Sequence, residues 1–227
     1  IMGAFIFAAQ MVNFTIPGTG SSGHIGGGIL LAAVLGPWPA LLTITAVLTI
    51  QALFFADGGL LALGCNIFNM GVCACLLGYI GVFRTIASRG LSAKRITAAS
   101  VIAAVIGLQA GAFAVVLETL ASGVTALPFT AFLLMMQPIH LAIGLTEGLI
   151  TAAVLCCIYN ARPEIIESAL GKNSLSGTVS LKGTLASLAL LTVVTASLFS
   201  LFASASPDGL EWAIERTAGT SELIRPG

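Results

Sequence analysis

The chain has 227 residues, 57% of them hydrophobic and 8% charged, with nine basic side chains balancing nine acidic ones. Soluble domains carry about 25% charged residues, so a surface this poor in charge, at a mean hydropathy of +1.06, cannot be wetted all round and must be covered largely by lipid. Zero net charge argues against a nucleic-acid partner.

A membrane span needs about 20 apolar residues to cross a hydrocarbon core of roughly 30 Å. In chain order, residues 1–14 are apolar but short, and 26–36 are shorter still. The uncharged runs 38–56, 59–83 and 96–117 are long enough. Residues 129–159 are interrupted only by Glu147, and 183–206 carry no charge. These runs predict an all-α integral membrane protein, a bundle of about seven transmembrane helices. Period-two alternation with regular turns is lacking, so a β-barrel is not expected. The five cysteines, Cys65, Cys73, Cys75, Cys156 and Cys157, lie inside apolar runs without zinc-finger spacing. They are expected to be small buried helix residues.

The loops orient the chain. Arg84, Arg89, Lys94 and Arg95 crowd one connection; two spans later Arg162, Lys172 and Lys182 lie in another. An even number of crossings puts both on one side, which the positive-inside rule makes cytoplasmic. The connections at 57–59 and 118–130 then face outward, as does the tail with Asp208, Glu211, Glu215 and Glu222. The abrupt, uncapped opening at Ile1 implies that further residues precede it.

Chemistry concentrates in Pro17-Gly-Thr-Gly-Ser-Ser-Gly-His24-Ile-Gly-Gly-Gly28. Irregular backbone at membrane depth survives only where protein buries it or where it lines a cavity. His24 stands where this loop becomes a short helix. Neutral imidazole is a ligand for zinc, copper, iron and nickel; the alternative is a hydrogen bond to a loop carbonyl. His140 and Glu147 are seven residues apart, two helical turns, and so share a face. An intramembrane carboxylate is costly and marks a functional site by default, with an interhelical hydrogen bond as the competing role. Gly144 and Gly148 permit close helix packing. Asn66 and Asn69 are expected to form interhelical hydrogen bonds. Gly20-Ser21-Ser22-Gly23 also matches the G-x-S-G pattern of rhomboid-type intramembrane proteases, with Ser22 as nucleophile and His140 as base.

Several segments in order resemble the M (substrate-binding) component of nickel/cobalt energy-coupling-factor (ECF) transporters, the NikM/CbiM family. They are Gly3-Ala-Phe-Ile-Phe-Ala-Ala-Gln-Met11, the Pro17–His24 loop, Leu35-Gly-Pro-Trp38, Gln51-Ala-Leu-Phe-Phe-Ala-Asp-Gly-Gly59, Ala62-Leu-Gly-Cys-Asn-Ile-Phe-Asn69 and His140 to Thr151. Pro207-Asp-Gly-Leu-Glu211 resembles the outer loop of the small N component that accompanies or is fused to that subunit. The resemblance implies an M-component bundle over residues 1–182, similar to ECF S components. A last span and an extracytoplasmic N-like segment would occupy 183–227.

It further implies capture of Ni2+, alternatively Co2+, from outside a bacterial or archaeal cytoplasmic membrane. A transmembrane T component and cytoplasmic ATPase subunits would drive import, since this chain has no P-loop lysine motif and is not expected to be an enzyme. The family holds its metal by the amino-terminal amine, a second-position histidine and the histidine matching His24. The first two, and the family's first helix, are absent before Ile1, so the missing amino terminus is expected to supply them. Asn66, His140 and Glu147 would back the ligand or serve packing. The Gly-His24-Ile-Gly-Gly segment looks more like the nickel-type branch.

Overall fold

The computed structural model describes residues 2–123, 127–172 and 181–219. The elements are α1 (Met2–Gln10), β1 (Phe14–Ile16), β2 (Ser21–Gly23), α2 (Gly28–Leu35), α3 (Pro37–Phe54), α4 (Leu63–Ala87), α5 (Ala93–Ser122), α6 (Phe129–Ala161), α7 (Pro163–Ala169), α8 (Leu181–Ser197) and α9 (Gly209–Ala218). Four of them, α3 to α6, are long and apolar enough to cross a membrane, so the chain is a multi-pass membrane protein. The two short apolar segments near the start are the 9-residue α1 and the 8-residue α2, and the run at 183–206 contributes the 17-residue α8. Length alone therefore gives four full crossings among the described residues.

The termini of these helices are written in the sequence. Pro37 begins α3 with its fixed φ, directly after Gly36 at φ 87°. The Ser92 side chain accepts from the Arg95 amide to start α5, and Gly123 ends it in the left-handed conformation. Leu42, Phe54, Leu134 and Leu149 are exposed, which suits lipid-facing positions. Inside α4 the stretch Ile67–Phe83 is wound in the wider i→i+5 pattern, a rare geometry that favours functional sites.

Glycines set how closely the helices approach. A Cβ on Gly144 would sit 3.0 Å from the Val105 Cα, and one on Gly148 2.6 Å from the Val101 Cα. The four-residue glycine spacing on α6 therefore seats the backbone of α5. Reciprocal amide bonds between Gln109 and Gln137 join the same two helices beside Pro138.

The two basic loops gather at one end of the molecule, as expected for connections that share a side. Lys172 donates to the Ser88 carbonyl at 3.1 Å, and Tyr79 donates to that of Ala169 at 3.0 Å. The Lys182 side chain lies outside the described residues. The cysteine expectation holds in part: Cys73 and Cys75 are buried, whereas Cys65 and Cys157 are exposed, because they occupy outward faces of their helices.

One departure from an all-helical bundle matters for the site. Phe14–Ile16 and Ser21–Gly23 form an antiparallel hairpin, Phe14 opposite Gly23 and Ile16 opposite Ser21. At 1.5 Å per residue α2 is about 12 Å long and its neighbour α3 about 27 Å. The two are joined at Gly36, so the start of α2 reaches only part-way up α3. His24, four residues before α2, therefore lies part-way along α3 and not at its end. Helix α2 is apolar all round and buried over its first six residues, with Ile29, Leu31, Ala32 and Ala33 inaccessible.

Candidate functional site

The loop between β2 and α2 is held from three directions. Glu147, fully buried on α6, accepts from the Gly26 amide (Oε2, 3.0 Å) and from the Gly27 amide (Oε1, 3.0 Å). A carboxylate placed over two free amides at a helix start is the favourable pairing of charge and orphan donors. From α1, Gln10 Nε2 donates to the Gly26 carbonyl at 2.9 Å. From α3, Gln51 Nε2 donates to Gln10 Oε1 at 2.8 Å. All three side chains are buried.

Glycine is required at this point. Gly27 has φ +76°, and a Cβ there would lie 2.7 Å from Ile6 Cδ1. A Cβ on Gly23 would lie 2.7 Å from Ile143 Cγ1.

These contacts leave His24 on the wall of a cavity of about 370 Å³ that Asn66, His140 and Glu147 also line. The four residues singled out in the sequence therefore share one chamber. The His24 Nδ1 is buried and has no hydrogen-bond partner among the described residues. The loop-carbonyl alternative for this nitrogen is thus not realised. A buried imidazole nitrogen left unpaired is costly.

The other candidates are engaged. His140 Nδ1 lies 2.8 Å from the Met136 carbonyl one turn earlier. Asn66 Nδ2 donates to the Gly58 carbonyl at 2.9 Å; it ties down the loop before α4 and makes no interhelical bond among the described residues. Asn69 does join two helices, donating from Nδ2 to Glu118 Oε2 on α5 at 2.8 Å. Ser22 is buried, with its Oγ 2.7 Å from the Ser206 carbonyl and 3.2 Å from that of Pro207. Ser22 spends its hydroxyl on backbone carbonyls, and no hydrogen bond joins it to His140 among the described residues, so the protease pairing is not formed there.

The carboxy-terminal segment covers the hairpin. Ser204 donates its amide to the Asn13 carbonyl, the Ser22 amide donates to that of Pro207, and Trp212 Nε1 donates to that of Thr19. Asp208 caps α9 through a reciprocal capping box with Glu211. Gly209 lies against His140 and Ile143, where a Cβ would come within 3.2 Å of the ring and 3.0 Å of Ile143 Cδ1. Asp208, Gly209 and Leu210 all line the cavity.

Gln10, Gln51 and Glu118 are the participants that sequence reasoning did not single out as site residues. Their signal was present: two amides inside apolar runs, and an acid at the end of one.

The structure is thus a polytopic helical membrane protein whose glycine-rich loop places an imidazole on the wall of a chamber. The comparisons agree. The chain belongs to the cobalt uptake substrate-specific transmembrane region (CbiM) family, whose model matches residues 1–165, and residues 182–227 match the PDGLE domain.

An Archaeoglobus fulgidus protein, named as a candidate fused nickel transport protein (NikMN), is 42% identical over 178 residues, covering 78% of this chain and 58% of its own length. The chain thus spans little more than half of that relative. The cobalt transport protein CbiM of Sorangium cellulosum is 32% identical over 171 residues, covering 74% of each chain. Among solved structures, a transition-metal transporter in a truncated form is 33% identical with a TM-score of 0.60, covering 70% of this chain and 78% of its own.

Proposed function

We propose that this chain is the ion-capture subunit of an ATP-driven ECF-type importer, taking up Ni2+, with Co2+ as the alternative cargo. The observation that carries the reading is the buried, unpaired His24 Nδ1, held at the wall of an internal cavity by the Glu147–Gly26–Gly27 clamp. Family membership and relatives named for nickel and for cobalt transport support it. Imidazole is a borderline donor that suits both ions, so the ligand type does not separate them. The Gly-His24-Ile-Gly-Gly segment favours nickel.

His24 is the direct ligand in this reading. One imidazole holds a divalent ion weakly; two further nitrogens come from an amino-terminal Met-His pair ahead of Ile1, as the resemblance implies. Glu147 positions the ligand loop, Asn66 steadies the neighbouring loop, and His140 forms part of the wall. Residues 1–182 make the metal-binding bundle. Residues 183–227 supply a last span and an N-component segment over the outer face, which makes about seven crossings with α1 and α2 included. Partners are a transmembrane T component and cytoplasmic ATPase subunits, in a bacterial or archaeal cytoplasmic membrane with the basic loops inside.

Calorimetry of the full-length protein with Ni2+ tests the reading. His24→Ala is expected to weaken binding by a hundredfold or more, about 3 kcal/mol; full affinity in the variant contradicts the ligand assignment.

A further inference from the structure

The turn between α4 and α5 concentrates positive charge without a compensating acid. From residue 58 to residue 117 the sequence has no Asp or Glu, and Arg84, Arg89, Lys94 and Arg95 fall together around this turn. All four are exposed. Arg95 is folded back on the turn, its Nη1 donating to the Arg89 carbonyl at 2.9 Å and to that of Gly90 at 3.2 Å. Lys172 adds a fifth cation, held on the Ser88 carbonyl. Arg84, Arg89 and Lys94 form no ion pair among the described residues. The acids of the neighbouring α7 are Glu164, which accepts from Arg162, and Glu167.

The same turn ends two surfaces that face lipid. Along α4, Leu77, Ile80, Gly81 and Arg84 are exposed while Gly78, Tyr79 and Phe83 are buried, so Arg84 continues the outward side. Along α5, Lys94, Ala98, Ile102 and Ile106 are exposed at four-residue spacing, while Ile96, Ala99 and Ala103 are buried. The two helices pack closely: a Cβ on Gly78 would lie 2.9 Å from the Ala103 carbonyl oxygen. Long basic side chains at a span's end lay their stems along apolar surface and carry the charge to headgroup level. Here two apolar faces run into cations at one level of the bundle.

We propose that the α4–α5 turn binds the headgroup of an acidic phospholipid, with Arg84, Arg89 and Lys94 supplying the cations. Guanidinium and ammonium groups are the usual partners of a phosphodiester, and juxtamembrane basic clusters attract anionic lipid. Net charge selects the headgroup: a choline or ethanolamine head would bring its own cation to a turn that has no acid of its own. The exposed side chains Leu77, Ile80, Ile102 and Ile106 offer the acyl chains an apolar surface, which a soluble anion could not use. The site is separate from the His24 cavity and does not depend on metal capture.

The test is native mass spectrometry of the full chain in an uncharged detergent, titrated with dioleoylphosphatidylglycerol or with dioleoylphosphatidylcholine. The acidic lipid is expected to bind about tenfold more tightly. Arg84→Glu and Lys94→Glu should each weaken its binding about tenfold and leave phosphatidylcholine binding unchanged, which also shows that the variants are folded. Arg216→Glu makes the same change of net charge on α9, where the guanidinium lies over Trp212, and should have no effect. Glycerol 1-phosphate at matched concentration should not displace the lipid. Equal affinity of the wild-type chain for the two lipids overturns the headgroup site. So does a loss in Arg216→Glu as large as in Arg84→Glu, which would mark a general charge effect. Displacement by glycerol 1-phosphate overturns it as well, by showing a site for free anions.

Discussion

The two flanks of His24 are held by different kinds of structure. Downstream, residues 25 to 28 are gripped by buried side chains from α1, α3 and α6, through Gln10, Gln51 and Glu147. Upstream, the hairpin has two three-residue strands, too few for stability in isolation. It depends on Ile16 packing against Ile139 and Ile143 and on backbone and hydroxyl bonds from residues 204 to 212. One flank belongs to the membrane bundle, and the other is fastened to a segment that matches a separate domain. The imidazole thus takes its position from the bundle, while cover over the cavity comes from the appended segment.

Breaking the bundle-side grip should have the largest effect. Glu147→Ala leaves the Gly26 and Gly27 amides buried without an acceptor, each loss costing about 1–3 kcal/mol. We expect nickel affinity to fall on the order of a hundredfold and the thermal midpoint to drop, read by calorimetry and by thermal unfolding in detergent. Retained affinity would show that the clamp does not position the ligand. Next comes Gly27→Ala, where a left-handed φ costs about 1–2 kcal/mol and the Cβ meets Ile6. Pairing it with Ile6→Ala should recover the steric part and leave the conformational part, which separates the two by their unfolding midpoints.

A smaller effect is expected from the glutamine relay. Gln10→Leu and Gln51→Leu should each destabilise, and the double variant should cost about 1 kcal/mol less than the sum of the two. An additive cycle would mean that the two amides do not act as a unit. The smallest effect belongs to the other flank. Trp212→Phe removes one hydrogen bond to the Thr19 carbonyl, worth about 1 kcal/mol. It should speed hydrogen exchange at the Ser22 amide while changing equilibrium nickel affinity less than threefold. A hundredfold loss of affinity would instead place the segment within the binding site proper.

Much of this arrangement could be read from residue order, and the remainder fails for physical reasons. Hydropathy located α3 to α6, because an uncharged run of about 20 residues has few other uses. Glu147 stood out for the same reason. The amides that donate to it did not, since backbone amides carry no label in a sequence and any two could have bonded the carboxylate. The hairpin was visible only as a glycine-rich interruption: Phe14-Thr-Ile16 and Ser21-Ser-Gly23 are too short for alternation to register. The run 26–36 yields an 8-residue helix buried over its first six residues, a placement that hydropathy alone does not distinguish from a longer lipid-facing span. Asn69 was expected to bond across helices and does, yet its partner Glu118 lay at a helix end and read as part of an outward loop.

The most direct test of the central claim is X-ray absorption at the nickel edge on the Ni2+-loaded full-length protein. Imidazole gives a distinct multiple-scattering signal. The account predicts that this signal falls in His24→Ala and is unchanged in His140→Ala. A spectrum unaltered by His24→Ala, or one that loses imidazole scattering only in His140→Ala, would contradict it.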